Sequence, residues 1–257
     1  MNALRSEERR PKLVLSDVCK SFGGVTAAQE ICLEIYGGEV LGLIGPNGAG
    51  KTTLINLITG VYRASRGEMI FKGQSITRQP TYRRAKAGIG RTFQHPHLLD
   101  RCDVLTNIIM GSDMAARKRT GAKPELEREL PEILACAGLE HIRLHDPVSK
   151  LSYGQQKLLE VVRVLLSHPD ILLLDEPAAG LNNRETQYVA DLIRYAVRRD
   201  IGVLLIEHSM ELVMSICDRI TVLNFGHQIA TGTPAEIQNN EEVIRAYLGG
   251  GSDDAED

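Results

Sequence analysis

The chain has 257 residues, enough for one large α/β domain or a domain carrying a sub-lobe. Hydrophobic residues make up 43% and charged residues 25%, an ordinary globular mixture. The formal net charge of −3 and the absence of Trp give no basis for expecting a nucleic-acid partner or a base-stacking surface. Five scattered cysteines, Cys19, Cys32, Cys102, Cys136 and Cys217, form no CxxC pair, and most of them read as small buried residues of a reducing compartment rather than a disulfide frame or zinc site. No apolar run approaches the roughly 18 residues of a membrane span. The charged start MNALRSEERRPK is not a secretory signal, so a cytoplasmic location is expected.

In chain order, KLVLSDVCKSF reads as a strand, and ICLEIYGGEVLGLIG as two strands joined by a Gly-Gly turn. KTTLINLIT is a helix with one apolar side, and GEMIFKG and IGRTFQ are short strands. From about Leu98 to Val162 the pattern is helical, clearest in ELERELPEILACAGL and QQKLLEVVRVLL, with ARKRTGAKPE as an exposed basic loop. ILLLDEP and GVLLIEH are continuous apolar runs, the mark of strands covered on both faces of a parallel sheet, with RETQYVADLIRYAVRR as the crossover helix. DRITVLNFGHQIATG gives two strands around Asn224-Phe225-Gly226, PAEIQNNEEVIRAYL a closing helix, and GGGSDDAED an acidic tail.

The chemistry concentrates at Gly45-Pro46-Asn47-Gly48-Ala49-Gly50-Lys51-Thr52-Thr53, which lies between a strand and a helix. A glycine loop placed there wraps phosphates with its backbone N–H groups, and the helix that follows turns its positive end towards them. Lys51 would reach the β- and γ-phosphates, Thr52 would bring its hydroxyl to Mg²⁺, and Thr53 could bond the α-phosphate. Asp175, at the end of a buried strand, would hold Mg²⁺ through water, and Glu176 would orient or deprotonate an attacking water. Neighbouring acids at a strand end also serve as helix caps. His208 ends the second buried strand, where it is expected to contact the γ-phosphate or to act as a packing residue. His141 and His145 stand i,i+4, but no third metal ligand lies near them in sequence.

Leu151-Ser152-Tyr153-Gly154-Gln155-Gln156, about 20 residues before Asp175, resembles the signature motif of ATP-binding-cassette (ABC) ATPases. The resemblance covers nearly the whole chain, in the order GPNGAGKTT, RTFQ, LSYGQQ, ILLLDEP, AAGLN, IEHS. It implies an α/β P-loop NTPase fold: a mostly parallel sheet core with an antiparallel β subdomain and a helical subdomain. The single ABC ATPase domain would run over 13–249, with core at about 13–94 and 163–249, helical subdomain at about 95–162, and tails at 1–12 and 250–257. By the resemblance, Phe22 would stack on adenine, although a core Phe at a strand end is the alternative. Gln94 would contact Mg²⁺ and the water and sense a transmembrane partner. Ser152, Tyr153, Gly154 and Gln155 would form the signature facing a second ATPase subunit docked head to tail, with Ser152 and Gly154 touching the γ-phosphate bound there. Asp175 and Glu176 would be the metal aspartate and catalytic glutamate, and His208 the switch histidine.

KSFGGVTA, GRTFQ, DEPAAGLN, the stretch from IEHSMELV to TGTPAEI, and IRAYLG look like the ATP-binding subunits of branched-chain amino-acid importers. That implies ATP and Mg²⁺ as ligands, transmembrane permease subunits as direct partners, and a periplasmic or extracellular solute-binding protein as an indirect one. It also implies a peripheral position on the inner face of the membrane. The same ATPase role for urea, amide, aromatic-acid or lipopolysaccharide transport is the alternative, followed by a soluble ABC ATPase. His95 and His97, after Gln94, are expected in a loop facing the membrane subunit. Three positions depart from the pattern: Tyr153 for the central glycine of the motif, Asn182 for aspartate in AAGLN, and Ser209 for aspartate after the histidine. A neutral Asn182 is expected to alter hydrogen bonding across a dimer.

Overall fold

The computed structural model describes residues 10–116 and 122–248. β1 (Leu13–Phe22), β2 (Val25–Ile35), β4 (Arg66–Phe71) and β5 (Gln74–Ser75) form an antiparallel sheet in the order β2-β1-β4-β5. The hairpin between β1 and β2 turns at Gly23-Gly24, so the strand expected from Ile31 begins six residues earlier, at Val25. β3 (Val40–Ile44), β6 (Ile89–Arg91), β7 (Ile171–Asp175), β8 (Gly202–Ile206), β9 (Arg219–Asn224) and β10 (His227–Gly232) form the second sheet, in the order β10-β9-β3-β8-β7-β6. Its pairings are parallel except β9 with β10.

All five residues of β3, β7 and β8 are buried. Because side chains alternate across a strand, each run feeds two cores. Leu172, Leu174, Val203 and Leu205 join the helical side. Ile171, Leu173, Leu204 and Ile206 join Leu41, Leu43 and the antiparallel sheet. That double burial is why these strands read as unbroken apolar runs.

The helices are α1 (Lys51–Thr59), α2 (Thr81–Ala87), α3 (Val104–Ala116), α4 (Ala122–Cys136), α5 (Tyr153–Leu165), α6 (Asn183–Arg198), α7 (Met210–Ile216), α8 (Pro234–Gln238) and α9 (Glu241–Leu248). α2 carries no apolar periodicity and escaped the sequence reading. α3 runs to Ala116 and α4 starts at Ala122, so both ends of the stretch expected as a basic loop are helical; residues 1–9, 117–121 and 249–257 lie outside the described residues. The closing helix is two helices. Asn240 breaks it, because its Oδ1 accepts from the N–H groups of Glu242 and Val243 and so starts α9 afresh. HIRLH is not helical, so His141 and His145 share no helix face: His141 pairs with Glu140 and His145 with Asp103. Among the described residues no group of three His, Cys, Asp or Glu could hold a metal ion, and no helix is long and apolar enough to cross a membrane.

Candidate functional site

The loop 45–50 joins the C-terminal end of β3 to α1. Gly45 has φ 151°, and a Cβ there would lie 2.1 Å from the Leu223 carbonyl oxygen. Gly50 has φ 103°, with the Ala27 carbonyl oxygen 2.4 Å from the position of a Cβ. The loop is therefore pressed against β9 on one side and β2 on the other, and only glycine fits at both ends. Ala49 O accepts from Gly226 N at 3.0 Å, and Gly226 O accepts from Gln29 N at 2.8 Å, which pins the loop to the β9–β10 turn and to β2. Burial raises the pKa of Tyr247 on α9, and the nearby Gly45 backbone opposes that shift.

Lys51 is buried and donates to Gly45 O at 2.6 Å and Pro46 O at 3.0 Å. Burial lowers its pKa, while Glu176 and Asp175 oppose the shift, so the ammonium lies in the field of both acids. Thr52 is exposed and Thr53 half-buried at the start of α1. Phe22, at the end of β1, is 42% exposed, with Lys20 Nζ 4.7 Å above its ring and Tyr62 edge-on at 5.0 Å. It is a surface aromatic, which removes the core alternative.

The pairing of β7 with β8 sets Asp175 opposite Ile206, so the two acids that follow the strands emerge side by side. Glu176 adopts a left-handed φ of 51° and donates its N–H to Ile206 O at 2.9 Å. Its Oε2 accepts from Gln94 Nε2 at 3.0 Å and its Oε1 lies 2.9 Å from His208 Nε2. An ionised carboxylate only accepts, so Nε2 carries the proton in that contact. Gln94, Glu176 and His208, far apart in sequence, thus meet at the C-terminal ends of β6, β7 and β8.

Burial raises the pKa of Asp175, and Arg91 opposes that shift: Arg91 Nη2 lies 3.1 Å from Asp175 Oδ2 and Nη1 donates to Asn56 Oδ1 at 2.6 Å. Arg91 passed unnoticed in the sequence, where RTFQ drew attention only to its glutamine. Three further residues were missed. Glu207 is buried, its pKa raised by burial, and accepts from Ala178 N at 2.6 Å and His208 N at 3.2 Å. Lys157 and Glu160 are buried on α5, and their visible signal was charge inside the apolar run QKLLEVV.

Ser152 caps α5. Its Oγ accepts from Gln155 N at 3.2 Å and Gln155 Oε1 accepts from Ser152 N at 2.9 Å, a reciprocal capping box. Tyr153 is 43% exposed and lies against Gly180. A Cβ on Gly154 would sit 2.1 Å from Glu185 Oε1, so the start of α5 lies against the Glu185 side chain of α6. Asn182 caps α6 as Ser152 caps α5, its Oδ1 accepting from Glu185 N at 3.0 Å. Its side-chain oxygen is thus engaged within the chain, and asparagine caps a helix as well as aspartate does. Among the described residues no hydrogen bond joins 152–155 to the loop 45–53.

A cavity of about 350 Å³ opens between α2, β6, α3 and α5, lined by Arg84, Arg91, Phe93, Met110 and Arg163 among others. Phe93 and Met110 are 41% and 50% exposed there. His97 lies against Phe93, ring centroids 4.6 Å apart.

Residues 28–179 match the family described as ABC transporter. The chain belongs to the ABC transporter family. Residues 227–253 of this cassette match the family described as Branched-chain amino acid ATP-binding cassette transporter. The cassette is 41% identical over 253 residues to the high-affinity branched-chain amino acid transport ATP-binding protein LivG of Escherichia coli, covering 93% of this chain and 98% of that protein. It is 40% identical over 252 residues to the corresponding protein BraF of Pseudomonas aeruginosa, with the same coverage. Among solved structures it resembles the ADP conformation of an ATP-binding cassette of an ABC transporter, with a TM-score of 0.80 and 30% identity, covering 93% of this chain and 99% of that one. The fold is therefore the expected P-loop cassette.

Proposed function

We propose that the cassette is the ATP-hydrolysing subunit of a membrane importer for branched-chain or related amino acids. The observation that carries the ATPase reading is the meeting of Gln94, Glu176 and His208 beside Asp175, in the same field as Lys51 of the phosphate loop. The similarity to LivG and BraF along nearly their whole length supports the importer, as does the match at the C-terminal end.

ATP would lie with its phosphates in the backbone N–H groups of residues 45–51 and its base against Phe22. Thr52, Gln94 and Asp175 offer a hydroxyl, an amide oxygen and a carboxylate, a hard all-oxygen set that suits Mg²⁺ completed by water and phosphate. Bound there, Mg²⁺ would neutralise charge developing on the phosphates. Lys51 would leave the carbonyls of Gly45 and Pro46 for the phosphates. Glu176 would accept the proton of the attacking water as its oxygen bonds to the γ-phosphorus and ADP departs, with Gln94 and His208 holding the carboxylate in line. Ser152 to Gln155 lie off their own loop and would complete the site of a second ATPase subunit head to tail. The groove at Phe93 and Met110 suits a short amphipathic helix of a permease, which would hold the cassette on the inner face of the membrane. In domain terms, the stretch 95–162 would move as a helical unit against the rest.

The test is Glu176→Gln, followed as ATP turnover and ATP-dependent dimerisation. Loss of the base lowers turnover by about 100-fold or more while ATP binding persists. Turnover at the wild-type rate would remove Glu176 from the mechanism.

A further inference from the structure

α5 buries two charged side chains one turn apart, Lys157 and Glu160, at 3% and 2% exposure. Neither meets a phosphate or a water in the scheme above. Lys157 Nζ donates to Glu176 O at 2.8 Å and to Ala179 O at 2.9 Å. Glu160 Oε2 accepts from Phe93 N at 3.4 Å and its Oε1 from His97 N at 3.0 Å. One side chain therefore grips the backbone of the catalytic carboxylate, and the other grips the loop on both sides of Gln94. The two loops meet at their tips, where Gln94 Nε2 donates to Glu176 Oε2 at 3.0 Å.

Apolar residues would fill this interior at lower cost than an ammonium and a carboxylate. What the charged groups add is direction. The Glu176 backbone is held left-handed between Ile206 O and Lys157 Nζ, a conformation that persists only where its surroundings over-determine it. The same helix begins at Ser152, about 7.5 Å of helix rise before Lys157. We propose that Lys157 and Glu160 are positioning residues that set Gln94 against Glu176, so that a displacement of the N-terminus of α5 is transmitted to the chain's own hydrolytic carboxylate. In a head-to-tail dimer the contact that one chain makes with its partner's nucleotide would thereby adjust its own site. This rests on the reading of Glu176 as the base.

The test compares Lys157→Met, Lys157→Arg and Glu176→Gln in the full chain by ATP turnover, by affinity for a fluorescent ATP analogue and by thermal melting. Lys157→Met should lower kcat at least tenfold, the order expected when a reacting group moves by a fraction of an ångström. Its analogue affinity should stay within about twofold, because the loop 45–53 is untouched. Lys157→Arg, which keeps the charge and the donors, should recover most of kcat. Glu160→Gln, which leaves a carbonyl acceptor, should lower kcat less than Lys157→Met. If Lys157→Met does not fold, the comparison is made between Lys157→Arg and Lys157→Gln, the second expected to be the slower. Equal loss in the Met and Arg variants, or loss of kcat and affinity together, would mean a purely structural role and overturn the proposal. An inactive Glu176→Gln beside a fully active Lys157→Met would overturn the inference alone. A fully active Glu176→Gln would overturn both it and the reading beneath it.

Discussion

Arg91→Leu should expose what holds the Asp175 carboxylate in place. The Arg91 and Asp175 side chains retain 12% and 7% of their exposure and lie 3.1 Å apart. Arg91 also satisfies Asn56. Replacing the arginine leaves a buried carboxylate without its partner, a change that costs about 3–5 kcal/mol, or roughly 10 °C in melting temperature for a chain of this size. The pH dependence gives the signature. Burial already raises the Asp175 pKa and Arg91 opposes the shift, so the variant raises it further above the unfolded value. A carboxyl whose folded pKa is raised binds its proton more tightly in the native state, so stability falls as pH rises through that interval. The penalty is therefore full above the folded pKa and fades below the unfolded one. Chemical denaturation at pH 7.5 and at pH 4 measures it. Arg91→Leu combined with Asp175→Asn should recover part of the loss at pH 7.5, because the orphaned charge is gone. A loss below about 1 kcal/mol, or an equal loss at both pH values, would refute the argument.

Two further outcomes follow from burial. Arg84 is 1% exposed and donates to the carbonyls of Leu57, Ile58, Thr77 and Gln79, closing the C-terminal end of α1. Arg84→Met should destabilise the fold by about 2–4 kcal/mol, since buried acceptors lose a charged donor; an unchanged denaturation midpoint would show that water replaces it through the adjoining cavity. Burial pushes the Cys217 thiol up to about 12, aided by Asp218, whereas Cys32 is exposed. At pH 8 only about one Cys217 in 10⁴ is thiolate, so peptide mapping after native alkylation should find Cys32 labelled and Cys217 untouched. Early labelling of Cys217 would mean that the interface between β3 and α7 opens readily.

The sequence by itself determined whatever depends on local order. A strand, a glycine loop and a helix follow one another between Val40 and Thr59, so the phosphate loop is legible from backbone requirements alone. Runs such as ILLLD and GVLLI declare strands covered on both faces because burial on two sides removes polar alternation. Ser152, Thr233 and the residues that follow them mark helix starts, since a cap and its reciprocal partner are three residues apart. What only the tertiary structure decided depends on which side chains cross between elements. Arg91 stands three residues from Gln94 in sequence, yet it points to Asp175, 84 residues away. Lys157 and Glu160 sit in a helix whose pattern reads as amphipathic, and nothing local says that both are buried or which loops they grip. Asn182 was read against an expected dimer contact, whereas within the chain its oxygen caps α6. The division has one physical cause. Backbone conformation is chosen over a few residues, while a buried charge is stabilised only by the partner that the assembled fold brings to it.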